Sequence, residues 1–219
     1  MKIKKIILYN EPSVPEIKIS KLINFLKDDF PIEITVKSNF FKGLKENEIK
    51  LLAKTRIFDI YNNYQPYEVD QKQITLEKTL CENSSYMEKT TRIEDAENIN
   101  QVVMYDGFEM QKVIREQINE VENDTLHIIF TNRLTCTFDD SDLRYHGRAV
   151  ICANPAILST TGIIEAPAKS KEFYIQAMAN KSQGLDITNV KEEHKGEFLE
   201  YHDKRLSKVI EGYILQIIF

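Results

Sequence analysis

The chain reads as an α/β or α+β protein: a mixed β-sheet flanked by helices, arranged in one lobe or two and closed by an apolar C-terminal helix. Three observations predict this. A strand–helix–strand pattern fills residues 2–37. Four short apolar or β-branched runs crowd residues 126–164. Helical spacing of apolar residues recurs at Asp106–Val121 and again in RLSKVIEGYILQIIF, residues 205–219.

Each element has its own signal. Lys2–Asn10 (KIKKIILYN) is an apolar run closed by Asn10-Glu11-Pro12, hence a strand and a turn. Pro15–Phe30 sets Ile19, Leu22, Ile23 and Leu26 at helical spacing, and Pro31 stops it. Ile32–Lys37 (IEITVK) alternates with period two and is β-branched, which favours a strand. Together these three have the length of a βαβ unit. No glycine-rich loop follows the first strand, so the unit predicts no nucleotide site. Glu46–Lys54 reads as a short helix and Arg56–Tyr61 as a strand. Residues 62–100 are polar and irregular, with some helical spacing at Leu76 and Leu80, and read as a surface insertion. Asp106–Val121 (DGFEMQKVIREQINEV) is an amphipathic helix with Asp106 as its N-cap.

The second half changes character. Leu126–Thr131, Thr135–Phe138, Arg148–Ala153 and Ile157–Ile164 read as strands, the last interrupted at Gly162. Pro167 introduces a helix around Lys171–Ala179, and the terminal helix starts near Asp203. A boundary near residue 100 would separate an N-terminal α/β lobe, residues 1–100, from a C-terminal α+β lobe, residues 101–219.

Composition narrows the function. With 34 acidic and 29 basic residues the net charge is −5, which gives no basic field to collect nucleic acid. Cys81, Cys136 and Cys152 are widely spaced and form no C-x-x-C, so neither a zinc ribbon nor a thiol-redox motif is indicated. The odd cysteine count and the shortness of the apolar run in MKIKKIIL suggest a cytoplasmic protein. No stretch approaches the ~18–20 apolar residues of a membrane span.

Three segments carry candidate chemistry. The first is DDSDLRYHGR, residues 139–148, where Asp139, Asp140 and Asp142 lie with His146, Arg144 and Arg148 between two expected strands. Carboxylate and imidazole ligands suit a divalent metal, while the alternative is a solvated turn in which Gly147 supplies a positive φ. The spacing is not that of an EF-hand. The second is STTGIIEAPAK, residues 159–169, with Thr160 and Thr161 before Gly162 and Glu165 among apolar neighbours. A buried Glu165 would suit a general base, and an exposed one would simply end a bulged strand.

The third is HKGEFLEYHDKRLSKVIEG, in which His194 and His202 bracket Glu197 and Glu200, followed by Asp203. Imidazoles eight residues apart sit ~80° apart around a helix and do not share a face well. A two-histidine zinc helix needs imidazoles one residue before and three after a glutamate. Around Glu211 those positions hold Ile210 and Ile214, so the carboxylate is present and both first ligands are not.

Residues 127–169 (HIIFTNRLTCTFDDSDLRYHGRAVICANPAILSTTGIIEAPAK) resemble an uncharacterised archaeal family that carries the metallopeptidase label. So do FLEYHDKRLSKVIEGYILQIIF, YDGFEMQ at 105–111 and KIILYNEPSVPEI near the start. The resemblance implies a distant likeness to metzincin-type zinc peptidases and a peptidase-like C-terminal lobe. It also implies that relatives continue past Phe219 into a Tyr-His pair and a cysteine-containing tail, which this chain lacks.

Two functional expectations follow. One is a metallopeptidase-like protein without a complete zinc site, which is non-catalytic, holds no cofactor and forms a homo-oligomer through its apolar C-terminal helix. The other is a zinc-dependent hydrolase acting on peptides. It would use Glu211, with Glu165 as a second catalytic carboxylate and metal ligands from His146, His202 and Asp203. The polar groups Asp139, Asp142, Arg148, Thr160 and Thr161 would bind a ligand in either case, or satisfy backbone at strand ends.

Overall fold

The computed structural model describes residues 3–82, 103–118 and 123–219. The first half runs β1 (Lys5–Tyr9), α1 (Ile19–Asp29), β2 (Glu33–Lys37), α2 (Glu46–Lys54), β3 (Arg56–Ile57) and α3 (Gln71–Glu82). The second runs β4 (Met104–Asp106), α4 (Gly107–Gln117), β5 (Thr125–Thr131), β6 (Leu134–Asp139), β7 (Arg144–Arg148), β8 (Val150–Ile151) and β9 (Ala156–Ser159). Four helices close it: α5 (Thr160–Glu165), α6 (Lys171–Ser182), α7 (Thr188–Glu193) and α8 (Leu206–Ile218).

These strands build two mixed sheets. The larger has the order β2-β1-β5-β9-β8, parallel except for β8. The smaller has the order β3-β4-β6-β7, with β4 and β6 parallel and both outer pairs antiparallel. The mixed α/β architecture is thus the one expected. Each sheet draws strands from both sides of residue 100, so the division into lobes does not coincide with a break in either sheet.

Period-two alternation explains how the larger sheet is sandwiched. On one face Ile6, Leu8, Ile128, Phe130 and Leu158 pack with Leu22 and Leu26 of α1 and with Leu206, Ile210 and Ile214 of α8. On the other, Ile7, Tyr9, Ile129 and Ile157 pack with Ile49 and Leu52 of α2, Leu80 of α3 and Met110 and Ile114 of α4. Strands buried on both faces read as continuous apolar runs, as KIILY and LHIIF do. The terminal helix buries Leu206, Ile210 and Ile214 at i, i+4 and i+8 within the chain, while Phe219 is 89% exposed with its ring 5.8 Å from Phe30. Among the described residues no helix is long and apolar enough to cross a membrane.

Five expectations need correction. Residues 71–82 form a helix, α3, with Glu77, Leu80 and Cys81 buried in the core, so this part of the expected insertion is no surface connection. The remainder of that segment, residues 83–100, lies outside the described residues. RYHGR is strand β7 rather than a loop, and the left-handed turn position before it is Leu143 (φ 53°), not Gly147. The strand expected over Arg148–Ala153 is only Val150–Ile151, and that over Arg56–Tyr61 only Arg56–Ile57. Finally, Ile157–Ile164 is not one bulged strand: β9 ends at Ser159, whose hydroxyl caps α5 by accepting from Gly162 N at 2.8 Å.

Gly162 is required for close approach rather than for a bulge. A Cβ placed there would lie 2.0 Å from the Arg148 carbonyl oxygen. The Gly162→Ala variant is expected to lose about 1–3 kcal/mol or more of stability, read as a lower urea midpoint. The cysteines offer a second check on the fold. Burial pushes the Cys81 thiol up to about 11 and the Cys136 thiol to about 12, whereas Cys152 is exposed. Native protein is therefore expected to react with a thiol reagent at Cys152 alone, and denatured protein at all three positions.

Candidate functional site

A cavity of about 510 Å³ opens where α5, α6 and α7 meet the segment at residues 198–202. Its floor is aromatic. Phe173 is buried on α6 and meets Phe198 and His194 edge-on, with ring centroids 6.0 and 5.6 Å away, and Lys169 Nζ lies 4.9 Å from its ring. The local sequence builds this directly. The turn at Pro167 releases the chain from α5, and Ser170 starts α6 by accepting from Phe173 N at 3.2 Å.

The cavity rim carries charge of both signs. Glu165, half-buried at the end of α5, and Glu200 line it together with Lys169, Lys191, His194 and His202. His194 is held from both sides: Nδ1 lies 2.8 Å from Glu197 Oε2 and Nε2 lies 2.8 Å from Gln176 Oε1. His202 Nδ1 lies 3.0 Å from Glu16 Oε1, and its φ of 64° places a bulky residue in the left-handed region. Glu165 and His202 thus line one cavity although 37 positions separate them in sequence.

The other expected residues lie elsewhere. Asp139, Asp142 and His146 gather on the β6–β7 hairpin, with ligand atoms within 4.8 Å of one another. They are brought together by cross-strand register, since Asp139 pairs with Arg144 and Thr137 with His146. His146 Nε2 lies 2.9 Å from each Asp142 oxygen, and Arg144 Nε donates to Asp142 Oδ2 at 2.7 Å. Arg148 Nε donates to Thr137 Oγ1 at 2.7 Å. Thr160 and Thr161 donate to the carbonyl oxygens of Thr131 and Asn132 at 3.2 and 2.6 Å, so both hydroxyls satisfy backbone at the end of β5. Asp203 is clamped by Arg205 at 2.6–3.1 Å, which holds its carboxyl below the usual range. Glu211 accepts from Lys208 Nζ at 2.5 Å on α8.

Comparison with protein families decides the relationship. The family described as "Probable metallopeptidase family (DUF6775)" matches residues 2–219. The chain belongs to the probable metallopeptidase family. Neither the curated proteins nor the solved structures give a significant match to it.

A metallopeptidase holds its metal ion with imidazole, carboxylate or thiolate ligands. Among the described residues, Asp139, Asp142 and His146 form the one group of three donors within 4.8 Å, and neither His202 nor Asp203 joins it. Its ligand types, hard oxygen and imidazole nitrogen, are those of a divalent-cation site. The half-exposed Arg144 guanidinium already donates to Asp142 and would have to swing aside for a dication to bind there. Two positions that a zinc helix would give to imidazoles, Ile210 and Ile214, are wholly buried in the core. Among the described residues no group joins two imidazoles with a carboxylate as a zinc-peptidase site does.

Sequence reasoning missed two polar centres. One lies at the carboxyl ends of the parallel strands. Glu11, buried after β1, accepts from Ser13 N (3.2 Å), Ser13 Oγ (2.9 Å) and Asn39 Nδ2 (3.0 Å), and Asn132 Nδ2 donates to Ser13 Oγ at 3.0 Å. The other is Glu77, which meets Arg56, Tyr105 and Arg133 deep in the core. The Asn-Glu-Pro turn gave a hint of the first, and nothing local marked the second.

The hairpin yields a pH prediction. The His146 contact, then Arg144, hold the Asp142 carboxyl below the ordinary aspartate value of 3.8. A depressed carboxyl contributes above its unfolded pKa and loses that contribution as pH falls through the folded one. Carbon-detected NMR titration is expected to place the Asp142 midpoint below 3.8, and the His146→Ala variant to move it upward.

Proposed function

We propose that this chain is a peptide-binding member of the probable metallopeptidase family that does not hydrolyse peptides through a zinc site of its own. One observation carries the reading: the groups a hydrolase would need are divided among three places. Glu211 faces Lys208 on α8, His146 lies on the β6–β7 hairpin, and His202 and Glu165 line the cavity. The cavity itself has the character of a ligand site. It lies in the usual size range, has an apolar and aromatic floor, and carries a small number of convergent polar groups. Phe173 and Phe198 would take a large apolar side chain, while the lysine amines and the carboxylates of Glu165 and Glu200 would meet the polar ends of a peptide.

Fluorescence polarisation with short fluorescein-labelled peptides carrying a central phenylalanine tests this. Binding is expected, unchanged by chelator and without turnover of the peptide. Phe173→Ala is expected to weaken it at least about tenfold, the equivalent of ~1.4 kcal/mol of lost apolar contact. Chelator-sensitive cleavage of the peptide would sink the reading and favour the zinc-dependent hydrolase, with Glu211 as its helix carboxylate. Undetectable binding would remove the cavity from consideration.

A further inference from the structure

The buried charge around Glu77 does not balance. Glu77 and Arg133 are 0% exposed and Arg56 is 5% exposed, in one cluster with Tyr105 and Cys81. Glu77 Oε2 accepts from Arg56 Nε (2.8 Å), from Arg56 Nη2 and from Tyr105 Oη (2.9 Å). Glu77 Oε1 accepts from Arg133 Nη2 at 3.1 Å. One carboxylate therefore serves two guanidinium groups, and among the described residues no other acidic side chain pairs with either. Burial pushes the Cys81 thiol up to about 11 and raises the Tyr105 phenol further, so both are neutral at pH 7. Among the described residues one positive charge is left in excess.

Arg133 also has donors to spare. Its Nη2 reaches Glu77 and, at 3.3 Å, Cys81 Sγ. Its Nε and Nη1 are buried with no hydrogen-bond partner among the described residues. The ring centroids of Phe41 and Tyr105 lie 4.1 and 5.7 Å from its Cζ. Aromatic faces attract a cation, but they do not replace acceptors for N–H groups lying in the guanidinium plane. Charged donors left unmet in a low-dielectric interior are costly, far more so than neutral ones.

We propose that this cluster binds one small monovalent anion, of the size of chloride, in the plane of the Arg133 guanidinium at its Nε or Nη1 donors. A single negative charge follows from the single positive charge in excess. Arg133 lies wholly out of solvent, and the ion proposed is accordingly the smallest, a single atom rather than a polyatomic one such as phosphate. The surrounding groups come from β3, α3, β4 and the turn after β5, so the bound ion ties α3 to both sheets. Its role is structural, and it stands independently of peptide binding in the cavity.

Thermal unfolding of the full chain tests the site, with sodium chloride replacing sodium gluconate at constant ionic strength. The Tm is expected to rise by roughly 3–5 °C for each tenfold increase in chloride above its dissociation constant, and bromide should act likewise. Arg56→Met leaves one guanidinium for one carboxylate, and the dependence on chloride should vanish. Should that variant fail to fold, crystals of the unaltered chain grown in sodium bromide give a second readout: an anomalous peak within about 3.5 Å of Arg133 Nε or Nη1. A Tm indifferent to the exchange, a response that Arg56→Met leaves intact, or bromide-containing crystals without a peak at Arg133 would each overturn the proposal.

Discussion

A carboxylate withdrawn from water costs several kcal/mol unless charged donors replace its hydration, and the effect is felt by everything that supplies those donors. Glu77 imposes this constraint on the core. Its two oxygens take donors from Arg56 on β3, Tyr105 on β4 and Arg133 just beyond β5. The first two strands belong to the smaller sheet and the third to the larger. One side chain on α3 therefore fixes the position of that helix against both sheets at once. An apolar residue there would fill the volume yet leave two guanidinium groups facing each other. Apolar packing covers both faces of the larger sheet in two clusters, and the hub's Tyr105 and Cys81 belong to one of them.

The same geometry explains why polar residues close in sequence end up with unrelated roles. Along β7, Tyr145 faces inward to Asp106, with its hydroxyl 2.8 Å from the carboxylate, while its neighbours Arg144 and His146 face outward to Asp142. A period of two forces this separation. At the end of β9 the chain passes from strand to helix between Ser159 and Thr160, so three successive hydroxyls point back to the backbone of residues 131–133 instead of into a cleft. Chemistry-bearing residue types were concentrated in these two stretches, and the fold uses most of them to satisfy its own backbone and cross-strand neighbours.

How much of this was legible depends on whether the signal was local. The βαβ start and the helix at Glu46–Lys54 were readable, because apolar spacing, Pro31 and β-branching all act within a few residues. α3 was not, since its inward face carries Glu77 where a helix pattern calls for an apolar residue, and the arginines that justify that glutamate lie 21 residues before it and 56 after it. β7 was hidden because its outward face carries only arginine and histidine and its inward face alternates tyrosine with glycine. At Gly162 a glycine in a β-rich context suggested a bulge, whereas the real demand was room for the Arg148 carbonyl from another element. Of the candidate site, Glu165 and His202 were singled out by residue type, but not as neighbours lining one cavity. The cavity that joins them depends on Phe173, Phe198 and the course of α6 and α7, and no short motif encodes that.

The position of the cavity can itself be argued from the sheet. In open α/β sheets ligands settle in the crevice beyond the carboxyl ends of the strands, where the strand order reverses. Here that point lies between β1 and β5, because β2 follows β1 on one side and β5 joins it on the other. The protein fills this place from its own sequence. Asn132 donates to Ser13, Ser13 donates to Glu11, and Asn39 donates to the second oxygen of Glu11. A network of this kind binds the strand ends together and leaves Glu11 and Asn132 buried. With that crevice occupied internally, the concave surface with convergent polar groups arises instead where the chain leaves the sheet after β9 and has to be covered by α6, α7 and the 198–202 segment. The cavity is thus a feature of the helical layer, lined by residues that the parallel sheet positions only through α5.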